Sequence, residues 1–208
     1  MKLGNSRIIK CPYCGTKKEL MTLLSGNTFG ARFWSDGKMI ASRLPEVSIV
    51  QKCPKCGKYY LRVGQPDEYG EAVSFELGTL TYQEWKEAYS QFAKDDEHAD
   101  VMECLKLFLI HAYNNYFRGG ITSFPAQDDD FIVGIIKEYI DLKDWSKTTP
   151  LLKAELYREA NEMEKCAEVL SEIEQKSLNY YEGKTFMAIK ERMERGDRRV
   201  FELVFNEE

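Results

Sequence analysis

Cys11-Pro12-Tyr13-Cys14-Gly15 and Cys53-Pro54-Lys55-Cys56-Gly57 are the two stretches that decide how this chain is read. Two cysteines separated by two residues can turn both sulfurs toward one ion. A glycine directly after the second accepts the positive φ that lets backbone N–H groups point at the thiolates. A lone Cys-x-x-Cys would also suit a redox dithiol, but two with matching proline and glycine positions make a pair of knuckles and a tetrahedral four-sulfur site. The expected ligands are Cys11, Cys14, Cys53 and Cys56, holding one structural Zn2+, with iron as the alternative ion. No His, Asp or Glu joins either knuckle, and four cysteines leave no open position for water. The metal is therefore expected to staple a small domain rather than to catalyse. Thirty-eight residues separate Cys14 from Cys53, more than such knuckles usually enclose, which a hairpin inserted between them would explain.

Working outward, the chain has 208 residues, enough for one ordinary domain or two small ones, and 43% hydrophobic residues, enough for a core. With 30% charged residues and a mean hydropathy of -0.47, no apolar run approaches the roughly 20 residues that span a bilayer. The segment from Met1 to Lys10 lacks the apolar stretch of a secretory signal, so cytoplasmic residence is expected and disulfides are an improbable use of six cysteines. Charge is divided unevenly. Up to Gly64 there are 12 basic and 3 acidic residues, a net of +9; residues 65–208 hold 17 and 31, a net of -14. Such asymmetry points to an anionic partner for the first half or to docking between the halves.

The same boundary appears in the residue patterns. Residues 1–64 carry β-type runs at Glu19 to Leu24, Thr28 to Trp34, Lys38 to Ser42, Val47 to Lys52 and Tyr59 to Val63. Ser25-Gly26-Asn27 and Ser35-Asp36-Gly37 supply the turns, the second closing a tight hairpin. Residues 65–80 read as a linker. From Thr81 the period is helical, opened by a capping box of Thr81 with Glu84 and an apolar face of Trp85, Ala88, Tyr89 and Phe92. A second helix, capped by Asp95 or Asp96, runs to about Arg118 with Val101, Leu105, Phe108, Leu109, Ala112 and Tyr116 at core spacing, and Gly119-Gly120 stops it. Asp128-Asp129-Asp130 opens a third over the stripe Ile132, Ile135, Ile136, Tyr139 and Ile140. Thr149-Pro150 starts a fourth. A fifth is expected over about Met163 to Ser177 and a sixth over Lys184 to Arg195, and Arg198 to Phe205 fits helix or strand.

On these residues the first 64 positions resemble a zinc ribbon. Rubredoxin-type iron domains share the paired Cys-Pro-x-Cys-Gly pattern, but they are acidic and this half is basic, which favours zinc. The stretch from Leu151 to Ile173 is similar to a tetratricopeptide (TPR) repeat: Ala154 and Tyr157 stand at the small and tyrosine positions of its first helix, Asn161 to Cys166 take the turn, and Leu170 follows. Asn161 replaces the usual glycine, Cys166 the alanine and Pro150 the opening tryptophan. Asn tolerates the left-handed conformation and cysteine is small, so the first two changes are mild. A ribbon followed by TPR-like helices resembles a group of uncharacterised bacterial proteins, a likeness that implies a fold and a metal without an activity. The fold class expected is α+β: a small antiparallel β zinc ribbon (1–64), a linker (65–80) and an all-α TPR-like helical array (81–208).

No phosphate loop, serine-nucleophile motif or His-Glu metal motif is present in the sequence, which disfavours an enzyme. His98 and His111 are too far apart on one helix to share a metal, Cys104 and Cys166 read as core thiols, and Asp128 to Asp130 read as helix-capping acids in preference to a cation site. Two classes remain. In the first, the acidic helical layer is a scaffold for a basic peptide or protein partner. In the alternative, the ribbon binds nucleic acid through Lys10, Lys17, Lys18, Arg32, Lys52, Lys55, Lys58 and Arg62, with Trp34, Tyr13, Phe33 and Tyr59 to stack on bases. Lysines on a small β domain are often merely solvated, and Trp34 fills a hairpin core as readily as it stacks. Packing of the basic ribbon on the acidic helices, within the chain or in a dimer, would consume both charge patches.

Overall fold

Short strands on either side of each knuckle, and helices after residue 81, follow from the change of period at that point. A computed structural model describes residues 1–20, 22–44, 46, 48–62, 80–94, 101–121, 123 and 126–205. Its elements are α+β in kind, with strands in the N-terminal part followed by six α-helices among the described residues. The linker expected at 65–80 and the caps Asp95 and Asp96 fall outside the described residues, apart from Leu80.

The chain forms two compact units: residues 1–31 with 40–94, and residues 32–39 with 95–208. In the first, β1 (Lys2–Leu3) pairs with β4 (Leu23–Ser25), and β2 (Arg7–Lys10) pairs antiparallel with β3 (Lys17–Leu20) in the register Lys10 to Lys17. The strand expected over Glu19 to Leu24 is thus two strands with different partners, and Arg-Ile-Ile-Lys before the first knuckle is a strand that the alternation of so short a run does not announce. A second hairpin joins β7 (Val50–Lys52) to β8 (Tyr59–Leu61). Its Tyr60, with Ile9, Leu20, Cys11 and Cys53, forms the small buried core. Helix α1 (Tyr82–Phe92) belongs to this unit and starts with the Thr81–Glu84 capping box; Tyr82, Trp85, Ala88 and Phe92 are buried.

The second unit holds β5 (Arg32–Trp34) and the turn that follows it. Trp34 N–H donates to the Lys38 carbonyl and Gly37 N–H to the Trp34 carbonyl, both at 2.9 Å, and Gly37 takes a φ of 80°. This is the tight hairpin expected at Ser35-Asp36-Gly37; its return strand is β6 (Met39–Ile40). On its other side β5 pairs with β9 (Glu202–Leu203), so strand is confined to these two residues of the stretch expected at Arg198 to Phe205. The helices are α2 (Met102–Arg118), α3 (Ala126–Leu142), α4 (Pro150–Glu159), α5 (Met163–Ser171) and α6 (Tyr180–Glu194). Consecutive helices pack on one another, and α4 also packs on α6. Thr149 caps α4 with proline at its first turn. Helix α5 ends at Ser171, and Gln175–Ser177 is a separate 3-10 turn. Helix α6 begins earlier than the apolar pattern suggests because Asn179 and Glu182 form a second capping box.

The core of this unit gathers Leu151, Ala154, Cys166, Leu170, Phe186, Ile189 and Phe201, with Tyr157 half-buried against it. Between α4 and α5 the chain turns at Asn161, which takes a φ of 62°. That is the left-handed position at which asparagine is tolerated and glycine is usual.

Candidate metal centre

Each knuckle lies at the tip of its own hairpin, and the two repeat one geometry. Cys11 N–H donates to the Thr16 carbonyl and Cys53 N–H to the Lys58 carbonyl, each at 2.9 Å. Gly15 N–H returns to the Cys11 carbonyl and Gly57 N–H to the Cys53 carbonyl, again at 2.9 Å. The φ angles of 70° at Gly15 and 71° at Gly57 close both turns. A side chain at either position would be strained in this conformation.

The geometry brings all four sulfurs within 4.8 Å of one another. Cys11 Sγ is 3.7 Å from Cys56 Sγ, and Cys14 Sγ is 3.5 Å from Cys53 Sγ. A tetrahedron with metal–sulfur bonds of roughly 2.3 Å has edges of about 3.8 Å, so the set fits one ion. The first cysteine of each knuckle is buried and the second exposed. Burial pushes the Cys11 thiol up to about 12, whereas hydrogen bonds from the Thr16 hydroxyl and backbone bring Cys14 down to about 6. Burial also raises Cys53, but the backbone N–H groups of Cys56 and Lys55 outweigh it and leave this thiol below its ordinary value. Those N–H groups favour the thiolate, the form that binds a metal. The arrangement can hold one ion through four sulfurs.

No protein-family model, curated protein or solved structure matches this chain.

The residues put forward for nucleic-acid binding do not form one set. Lys18 and Trp34 are buried. Arg32 donates to Glu202 through bonds of 2.8 and 2.5 Å, and Lys52 pairs with Glu84 at 3.1 Å. Arg32 and Trp34 belong to the second unit, the other seven to the first. Lys10, Lys17, Lys55 and Lys58 are exposed and Arg62 is half-buried. Of the stacking candidates, Tyr13 is exposed, with Lys58 Nζ 4.6 Å over its ring, and Phe33 is exposed, while Tyr59 is buried and donates to Glu87 at 2.6 Å. Gln91 donates to the Tyr59 carbonyl at 2.6 Å. Within this unit, therefore, α1 covers one side of the second knuckle's hairpin through polar contacts.

The remaining candidates have structural surroundings. His111 is buried, with Nε2 3.2 Å from the Asp36 carbonyl oxygen, and His98 lies outside the described residues. Cys166 is buried in the helical core, which pushes its thiol up to about 12, and Cys104 is exposed on α2. Asp129 accepts two bonds from Arg198, at 2.9 and 3.0 Å. Sequence reasoning missed a buried polar cluster of Asp36, Asn114, Arg118, Glu155, Arg158 and Glu159. Only the spacing of Glu155 and Arg158, three apart on a helix, could have signalled any of it. No helix among the described residues is long and apolar enough to cross a membrane.

Proposed function

We propose that this chain is a non-enzymatic, cytoplasmic binding protein in which a structural zinc ion on Cys11, Cys14, Cys53 and Cys56 holds the N-terminal β unit together and the TPR-like helices form a scaffold for a protein or peptide partner. The observation that carries the reading is the four-sulfur cluster, with every cysteine supplied by a hairpin tip. Zinc suits four thiolates because it has no geometric preference of its own and is inert to redox chemistry. Bound there, it would fix the two hairpins around the small cluster of Ile9, Cys11, Leu20, Cys53 and Tyr60.

For the helices, support comes from the α4–α5 pair. Ala154, Cys166 and Leu170 are buried, Tyr157 packs beside them and Asn161 makes the left-handed turn, each at the position expected of a TPR. The acidic balance of residues 65–208 selects a basic partner. The nucleic-acid alternative is weakened by the burial of Lys18 and Trp34 and by the carboxylate partners of Arg32 and Lys52.

Titration of the zinc-loaded full-length protein with pools of basic and acidic peptides, and with mixed DNA and RNA fragments over a salt series, tests both. The scaffold reading expects binding of basic peptides and no steep salt slope with nucleic acid. Tight, salt-dependent binding of nucleic acid would replace it with the alternative.

A further inference from the structure

Around the C-terminal end of α4, four arginines are each matched to a carboxylate, while Arg192 of α6 donates to the Ala188 carbonyl. Arg118 pairs with Asp36. Arg158 grips Glu155 at 2.5 and 2.8 Å, Arg198 holds Asp129 at 2.9 and 3.0 Å, and Arg199 holds Asp197 at 2.8 and 2.9 Å. Glu159 is 4% exposed; its Oε2 accepts from Asn114 Nδ2 at 2.8 Å, and its Oε1 meets no hydrogen-bonding partner among the described residues. The same Asn114 nitrogen donates to Asp36 Oδ2 at 3.0 Å, so a single amide group joins two buried carboxyl groups. Arg198 Nε reaches only the backbone carbonyl of Glu159, at 3.0 Å.

Three further features oppose a charge at this position. Glu159 is the last residue of α4, where the helix dipole is negative. It follows Glu155 at i,i+4, a like-charge spacing. An ionised oxygen with no donor in a buried site loses its hydration without return, whereas an undonated O–H loses much less.

We propose that Glu159 carries a proton at neutral pH and is the latch that seats the Arg32–Met39 hairpin in its unit. As a neutral acid it tolerates the Asp36 carboxylate one amide away; ionised, it repels that carboxylate and loosens the hairpin. The groups facing the cluster are Asp36 and Lys38 from the hairpin, and His111, Asn114 and Arg118 from α2. Asp129 faces it from α3, Glu155 and Arg158 from α4, Arg192 from α6, and Asp197 to Arg199 from the C-terminal segment. Burial lowers His111, against the pull of the Asp36 carboxylate. Burial, then the charges of Glu155 and Asp36, push the Glu159 carboxyl well above its ordinary range, against the pull of Arg158 and the Asn114 amide.

An acid raised in the folded state contributes stability that is complete below its ordinary value of 4.5 and fades as pH rises, until it ionises in the folded protein. The test is urea unfolding of the full-length, metal-loaded protein from pH 5 to 8, wild type against Glu159→Gln, which keeps the shape and removes the proton. The folding equilibrium constant of wild type is expected to fall about tenfold per pH unit relative to the variant, the metal centre contributing equally to both. Hydrogen exchange at the Ser35 amide, bonded to the Phe201 carbonyl at 2.9 Å, should show the same divergence in protection. Parallel pH profiles for the two proteins overturn the proposal. Should the variant not fold, the wild type decides: infrared spectra of 13C-glutamate-labelled protein at pH 7 should contain a protonated-carboxyl band, and its absence overturns the latch.

Discussion

Asp36 lies against Arg118, 82 residues further along the chain, with both side chains almost wholly removed from water. Asp36 sits on the turn of a hairpin between the two cysteine knuckles, and Arg118 ends α2, so this pair ties the inserted hairpin to the helices of its unit. Removing one partner strands a buried charge. The Asp36→Ala variant should lose about 3–5 kcal/mol in chemical denaturation. A loss under about 1 kcal/mol would mean that the pair is solvated and unimportant.

The same carboxylate sets an acid limb. Burial raises Asp36, but the charges of His111 and Arg118 and the bonds from Asn114 and Arg118 outweigh it and hold the group below its ordinary 3.8. A depressed acid contributes stability above its unfolded value, and that contribution is lost as pH falls through the folded one. Below about pH 4 the wild type should therefore lose stability more steeply than Asp36→Asn in thermal melts. Equal slopes would show that Asp36 does not drive acid unfolding.

Arg158 pairs with Glu155 and donates to the carbonyls of Asp197 and Arg199. One fully buried guanidinium thus holds both α4 and the C-terminal segment. Arg158→Ala should cost about 3–5 kcal/mol and should release protection of the Phe201 amide in hydrogen exchange. Loss of stability without loss of that protection would confine its role to α4.

In the helical core, Leu170 is 5% exposed while Tyr157 is half-buried. Leu170→Ala should cost about 2–5 kcal/mol. A fully buried TPR-like tyrosine would cost roughly 3 kcal/mol on truncation to alanine; the half-exposed Tyr157 should lose about half of that in the same assay. Equal losses would place Tyr157 deeper in the core than its exposure indicates.

How much of this was legible in the sequence depends on the range of the interaction. The knuckles were readable because Cys11 to Gly15 and Cys53 to Gly57 specify their geometry within five residues each. The box at Thr81 and Glu84 and the proline after Thr149 are equally local signals, and each marks a helix start in the structure. The stripe Ile132, Ile135, Ile136, Tyr139 and Ile140 is buried throughout because period alone decides it. Arg32 and Lys18 read as surface groups, yet Lys18 is buried and Arg32 is bound to Glu202, 170 residues away, while Trp34, which the sequence left between a hairpin core and stacking, is buried. No pattern in a window of a dozen residues carries such information. The unpartnered oxygen of Glu159 is equally invisible, since it appears only when groups from α2, α4 and the C-terminal segment are brought together.

Metal binding by the four cysteines is tested most directly by elemental analysis of the full-length protein beside Cys53→Ser. One zinc per chain in the wild type, absent from the variant together with a cooperative melt of the β unit, is the result predicted. Stoichiometric zinc and an unchanged melt in Cys53→Ser would contradict the site, and iron with a thiolate charge-transfer spectrum in the wild type would contradict the ion.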